Sequence, residues 1–415
     1  MFTRRKFFAA AGVAAASSFA YPSQILRAVP KANTDFGKVR ITDIKIAVLN
    51  LKYLTTLVQV TTDSGLYGLG EAFPKVDIRP FIKDLKEKIV GEDPLQVEVL
   101  YEKMTGELVS RGSRTGALLG AISGVETALW DLAGKILNVP TYVLLGGKYR
   151  DKIQMYHDAP KPSGRKSDDP QAWADAAQES MEAGFNISKF SLRRLDSERW
   201  NGYLVSKDIN TYVKILEAIR TQTGPNFPIG VDLHWRHNTR DGLRFVKAVE
   251  HLDLMFVEDP IPPENADALA RITASSNVPI MTGENLFHRQ GFRPFIEKQA
   301  CDFIHPDAQK CGGLLEMKKI ADWADLYYIN MFCHNLSTPV GTIASGHACM
   351  AIKSFIALEE PGVRDEIPEW DDLIKRDGPF YNKGYLEIPN KPGLGVELNE
   401  DLVSRYLVEK TGYFK

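Results

Sequence analysis

Cysteine is scarce in this chain: Cys301, Cys311, Cys333 and Cys349 are the only four in 415 residues, and none forms a CxxC pair. That dispersed spacing argues against a thiolate zinc site or a disulfide scaffold and points to buried free thiols. Charge of one sign is also lacking. Lys and Arg total 51 against 53 Asp and Glu, a formal net charge of −2, which argues against nucleic acid or an anionic membrane as the main partner. No Gly-rich GxGxxG follows the first strand of the alternating region, so the dinucleotide-binding fingerprint is missing. Low-complexity tracts and short-period repeats are absent too. What remains is the composition of a soluble globular protein, 44% hydrophobic and 25% charged. Such a chain is long enough to bury a large core without staples.

The N-terminus has its own texture. Thr3-Arg4-Arg5-Lys6-Phe7-Phe8 leads into an uncharged, Ala-rich run ending at Ala20, with small residues near Ser18-Phe19-Ala20. A basic segment, a short apolar run and small residues at its end are the order of a secretory signal. The run is too short and Ala-rich for a membrane span, so stable membrane insertion is not expected. The paired arginines before Phe resemble a twin-arginine export signal over residues 1–28, which implies a periplasmic protein.

After a polar linker, residues 39–148 read as an α+β segment. The β-branched runs 44–48 and 57–61 come first, with the turn Asp63-Ser64-Gly65 after them, and helical periodicity follows at 95–104 and 117–135. From 150 to 360 the pattern alternates. Apolar runs at 153–157, 187–190, 228–232, 254–258, 279–283, 302–304, 329–333 and 355–359 are separated by helical segments. Eight such strands joined by helices predict parallel βαβ units closed into a (β/α)8-type, TIM-like barrel. Residues 361–415 form an irregular tail, expected to complete a capping domain with the N-terminal segment.

In a β/α barrel the functional groups sit at the C-terminal ends of the strands. The third run ends in Asp232, the fourth in Glu258, and Glu284 directly follows the fifth, each 26 residues from the next. Three converging carboxylates repel one another unless a cation sits among them, and oxygen donors without a nearby thiolate favour Mg²⁺ over zinc. His234 stands two residues past Asp232, on the same side if the strand continues. His334 follows the seventh run and Asp307 lies just past the sixth, a spacing that allows a dyad in which the carboxylate orients the imidazole. Lys189 at the second strand end is placed to neutralise a substrate carboxylate, and Glu359 at the eighth to hydrogen-bond the substrate. His237 and His288 are further candidate substrate contacts, and His251 reads as structural.

Together these residues resemble the mandelate racemase subgroup of the enolase superfamily. The resemblance is carried by Gly230-Val231-Asp232-Leu233-His234, Val257-Glu258-Asp259-Pro260, Gly283-Glu284-Asn285, and the pair Asp307 and His334. It extends to the helix 124–135, the following Leu144-Leu145-Gly146-Gly147 and the tail Pro392-Gly393-Leu394-Gly395-Val396. It implies one Mg²⁺ held by Asp232, Glu258 and Glu284, with an Asp307–His334 dyad. Racemases of the subgroup carry Lys-x-Lys on the second strand, but here the second position is Ser191. The third-strand Asp-x-His is instead similar to galactonate-type sugar-acid dehydratases. The implied activity is dehydration of an aldonic or related sugar acid to a 2-keto-3-deoxy acid. In it His334 acts as base and His234 as acid, with specificity set by cap loops 49–56 and 74–80. An epimerase or cycloisomerase using the same site, a metal-free retaining glycosidase, and an exported sugar-acid binding protein are the alternatives. A homo-oligomer is compatible with the chain.

Overall fold

The computed structural model describes residues 38–106, 114–162, 167–192, 203–362, 367–408 and 413–414. The expected export signal lies outside them. Among the described residues no helix is long and apolar enough to cross a membrane, and all four cysteines are buried free thiols.

The chain first forms three antiparallel strands in sequential order: β1 (Ile41–Asn50), β2 (Leu54–Thr62) and β3 (Tyr67–Ala72). Helices α1 (Arg79–Ile89), α2 (Val97–Thr105) and α3 (Gly116–Leu137) follow. The apolar face of the sheet, with Val58 and Val60, packs on Val125, Leu129 and Leu132 of α3. Close approach here depends on glycine. A Cβ on Gly68 would lie 1.9 Å from the Ala128 carbonyl oxygen, and one on Gly70 would lie 2.2 Å from that of Gly124. Helix backbone and strand backbone therefore meet where no side chain fits.

The eight expected runs become β4 (Ile153–Asp158), β5 (Ser188–Ser191), β6 (Ile229–Asp232), β7 (Phe256–Glu258), β8 (Ile280–Thr282), β9 (Phe303–Ile304), β10 (Asn330–Cys333) and β11 (Phe355–Glu360). Each is parallel to its neighbour, and β11 pairs with β4 to close the barrel. Helices stand between the strands. Those that bear on the site are α4 (Pro170–Glu182), α5 (His288–Glu297), α6 (Ala308–Cys311), α7 (Leu314–Asp325) and α8 (Pro339–Met350). Tyr156, Phe256, Met281 and Phe332 fill the barrel interior. Gly230 makes room for Phe256, whose ring would lie 2.1 Å from a Cβ at that position.

The tail does more than complete the cap. Its hairpin, β12 (Tyr381–Asn382) and β13 (Tyr385–Leu386), adds antiparallel to β4 of the barrel. Further along it returns to the cap: the Leu394 N–H donates to Asp131 of α3 at 2.7 Å, Leu407 bridges Leu49, and the Val408 N–H donates to the Val48 carbonyl at 2.9 Å.

Buried carboxylates fasten cap to barrel. Glu71 of β3 accepts from the backbone N–H of Thr338 at 2.9 Å and of Gly341 at 3.0 Å, at the N-terminus of α8. Glu126 of α3 accepts from Leu314 and Leu315 at the N-terminus of α7, at 2.8 and 3.1 Å. Orphan helix donors and the positive end of the helix dipole make these natural carboxylate seats. Burial nevertheless pushes both acids up to about 7.

Candidate active site

A cavity of about 510 Å³ opens where the barrel strands end, with cap residues in its wall. Lys189, His234, Glu284, His334 and Glu359 all line it. Asp232 and Glu258 lie buried beside them at the ends of β6 and β7, in direct register across the two strands.

Lys189 of β5 points inward and is almost fully buried. Its Nζ lies 2.6 Å from Glu359, 3.2 Å from Glu258 and 3.9 Å from Asp232. Burial alone would lower its pKa, but Glu258 and Glu359 hold it well above the usual lysine range. Glu359 and Glu360 part ways because successive side chains of a strand face opposite sides. Glu359 enters the barrel, whereas Glu360 turns outward, 3.4 Å from His157 Nε2.

His334 is held at both ring nitrogens, with Nδ1 2.7 Å from Asp307 Oδ2 and Nε2 3.0 Å from Glu284 Oε2. Burial opposes its charge, yet Glu284, Glu359 and Asp307 together hold its pKa well above the ordinary histidine range. Asp307 uses its other oxygen to cap α6, accepting from the Gln309 N–H at 2.8 Å. One carboxylate therefore fixes both the helix start and the imidazole.

His234 reaches the cavity by a route that strand alternation did not foresee. β6 ends at Asp232, and His234 and Trp235 turn through left-handed backbone at φ 50° and 54°. Two adjacent non-glycine residues in that region need outside support. Asp259 supplies it: the Trp235 backbone N–H donates to its carbonyl at 2.7 Å, and the indole N–H to its carboxylate at 2.7 Å. His234 Nδ1 then rests 2.7 Å from Asp232 Oδ2.

The acids suit a hard cation. Neither oxygen of Glu258 makes a directed hydrogen bond, nor does Asp232 Oδ2, although all three are buried. Burial pushes Glu258 well above its ordinary range, and Asp232 and Glu284 add to that against the pull of Lys189. Bringing such groups together ionised is costly unless a cation joins them. The geometry also holds a residue that sequence reasoning missed. His305, just past β9, has Nδ1 3.0 Å from Glu258 Oε1, and its donor atoms converge with those of Glu258 and Glu284. Its Nε2 lies 2.5 Å from the Tyr156 hydroxyl, and burial pushes its pKa down to about 3, so the ring is neutral. Asp232 is turned toward His234 and does not share that convergence. His305 occupies the first positions after a strand, as Glu284 and His334 do, which is the signal that could have found it.

His237 and His288 are not among the residues lining the cavity. His288 is buried at the start of α5, stacked on Tyr101 of the cap with ring centroids 6.2 Å apart. His237 is buried as well. His251 is exposed, 3.3 Å from Glu217.

Set against known proteins, residues 39–146 match the mandelate racemase / muconate lactonizing enzyme N-terminal domain, and residues 172–402 match the enolase C-terminal domain-like family. The chain belongs to the mandelate racemase / muconate lactonizing enzyme family of the enolase superfamily. Among its relatives in that family is a D-xylonate dehydratase of Haloferax volcanii, 38% identical over 89% of this chain and 89% of that protein. A D-galactonate dehydratase of Pectobacterium atrosepticum is 28% identical over 86% of this chain and 92% of the relative. A mandelate racemase/muconate lactonizing enzyme-like protein from Rubrobacter xylanophilus has a solved structure that superposes with a TM-score of 0.85 at 36% identity. That match covers 91% of this chain and 99% of the other.

Proposed function

We propose that this enzyme is a Mg²⁺-dependent hydro-lyase that dehydrates an aldonic or related sugar acid to a 2-keto-3-deoxy acid. The observation that carries the reading is the placement of two differently supported histidines on one cavity. His334 has a carboxylate partner on Nδ1, and His234 is anchored to Asp232. The second position of the Lys-x-Lys pair is Ser191, whose hydroxyl donates to Asp158 at 3.1 Å, so a second lysine base is lacking there. The dehydratase relatives support the same reading.

In this mechanism Lys189 holds the substrate carboxylate by charge. Asp232, Glu258 and Glu284 would hold the Mg²⁺, which supplies stabilisation of the negative charge that builds on the carboxylate oxygens as the C2 proton leaves. With the charge of Glu284 offset by the cation it would hold, the largest upward pull on His334 is removed, and His334 takes that proton at Nε2 while Asp307 fixes the ring through Nδ1. His234, as imidazolium, gives a proton to the 3-hydroxyl, the C3–O bond breaks and water departs. The resulting enol tautomerises to the keto acid. Incubation with a panel of acid sugars and Mg²⁺ should yield a 2-keto-3-deoxy product. An epimer or a cyclised isomer in its place would identify the alternative use of the site, and activity surviving chelation would point to a metal-free glycosidase.

We also propose export through the twin-arginine route on the strength of Arg4-Arg5. Replacing both with lysine should retain the protein in the cytoplasm, and unchanged export would exclude that route.

A further inference from the structure

Two neighbouring strand ends carry left-handed backbone at residues other than glycine. His234 and Trp235 follow β6 at φ 50° and 54°, and Asp259 follows β7 at φ 43°. A bulky aromatic residue rarely adopts this conformation, which persists only where the surroundings impose it. Asp259 imposes it here. The Trp235 N–H donates to its carbonyl at 2.7 Å, and the indole N–H to its Oδ2 at 2.7 Å. Asp259 is itself fastened to the next strand. Its N–H donates to the Met281 carbonyl at 3.0 Å, and its Oδ1 accepts from the Thr282 hydroxyl at 2.6 Å. The Trp235 indole then stands edge-to-face with the His234 imidazole, ring centroids 5.4 Å apart and planes at 77°. The turn after β6 is thereby tied to the end of β7 and, through it, to β8.

Asp259 is almost fully buried and, unlike His234 and Trp235, is not among the residues lining the cavity. Both of its carboxylate oxygens are engaged by neighbouring donors, so it is not aimed at a cation although it adjoins Glu258 in sequence. A further acid beside Glu258 and Glu284 adds to the repulsion among carboxylates there. Its place is explained by what it holds. The carboxylate reaches across to an indole, and that indole belongs to the residue next to the histidine that must meet the 3-hydroxyl. Proton removal at C2 makes no demand on this turn, because His334 rests on Asp307 at other strand ends.

We infer that Asp259, acting through Trp235, positions the His234 imidazole for departure of the 3-hydroxyl, and so decides whether the enediolate loses water or takes a proton back at C2. Asp259 and Trp235 are positioning residues for elimination, not for deprotonation. With this clamp cut, His334 still breaks the C2–H bond. His234 no longer presents its proton to the C3 oxygen, the C3–O bond stays intact, and the proton on His334 returns to C2. The inference rests on the proposed dehydration.

The test reads two rates on one substrate, the acid that the Mg²⁺-loaded parent enzyme dehydrates best from a panel of aldonic and aldaric acids. In D₂O these are formation of 2-keto-3-deoxy product and entry of deuterium at C2 of the unreacted acid. Asp259→Ala removes the carboxylate, and Trp235→Phe keeps an aromatic ring without the N–H. Each should lose roughly 10–10²-fold in dehydration, the scale for a displaced catalytic group, while exchange at C2 persists. The ratio of exchange to dehydration should rise by the same factor, whereas a loss of folded enzyme lowers both rates together and leaves the ratio unchanged. Trp235→Phe reads the inference even if Asp259→Ala does not fold. The double variant should be no worse than the more impaired single variant, because the carboxylate acts through the indole. Asp259→Asn should recover most of the dehydration, since its amide can accept from the indole and donate to the Thr282 hydroxyl. An unchanged ratio in the folded single variants overturns the inference, and so do additive losses in the double variant. Loss of exchange together with the Mg²⁺-induced rise in melting temperature would assign Asp259 to the metal site and overturn it as well. In each of these cases the parent still forms the product, and the dehydratase reading stands. A parent enzyme that dehydrates no acid of the panel overturns both.

Discussion

Asp307 and His334 lie just past the ends of neighbouring strands β9 and β10, joined by a parallel backbone bridge, with Asp307 Oδ2 2.7 Å from His334 Nδ1. The bridge fixes the two backbones and the carboxylate fixes the ring, so the imidazole is aimed before any substrate arrives. In Asp307→Asn the cap of α6 can survive through the side-chain oxygen, but the oriented acceptor for Nδ1–H is lost. The rate should fall by about 10²-fold or more, within the range for a lost acid–base contribution. The melting temperature should shift only slightly. A large loss of stability with little loss of rate would show that Asp307 serves the helix and not the imidazole.

The clustered acids predict a metal-dependent stability. Glu258, Asp232 and Glu284 repel one another in the folded chain, and a bound cation should relieve that cost. Titrating Mg²⁺ against a chelated control should raise the melting temperature. A ligand at 100 times its Kd stabilises by roughly 2.7 kcal/mol. Glu258→Gln should abolish most of the shift. A variant that keeps the full shift would place the cation elsewhere.

Much of this site was legible because strand ends carry chemistry in a barrel, and three acids recurred at one spacing. The fold followed from eight apolar runs with helices between them. Other features were hidden for physical reasons. β3 was not resolved as a strand of its own because Gly68 and Gly70 replace the β-branched residues that mark strands, and their reason lies across the interface in α3. The turn carrying His234 depends on Asp259, which belongs to the next strand, so local alternation could not place it. His305 looked like a neighbour of Asp307, and only closure of the barrel sets it against Glu258 and Tyr156. His288 is a candidate substrate contact that the sequence does not place firmly, and it is not among the residues lining the cavity. Its ring is stacked on Tyr101 of the cap.

Glu126 gives a pH signature to the cap–barrel junction. Burial raises its pKa to about 7 in the folded chain from an ordinary 4.5. The fold therefore favours the protonated acid. The associated stability is fully present below about 4.5 and is lost as pH rises through about 7. Glu126→Gln keeps one acceptor for the α7 N–H groups and cannot ionise. Its melting temperature should fall less steeply between pH 5 and 8 than that of the parent, whatever its absolute stability. An identical slope would show that Glu126 does not titrate in this range.

The division of labour between His334 and His234 is the centre of the account, and hydrogen exchange reads it most directly. On a competent sugar-acid substrate in D₂O, His334→Asn and His234→Asn should each lose about 10²–10⁴-fold in dehydration. The two variants should differ in exchange. His234→Asn, with His334 and Asp307 intact, should still wash deuterium into C2 of unreacted substrate, because proton removal survives and only departure of the hydroxyl is blocked. His334→Asn should exchange nothing. Deuterium at C2 with His334→Asn and none with His234→Asn would reverse the two roles and contradict the mechanism.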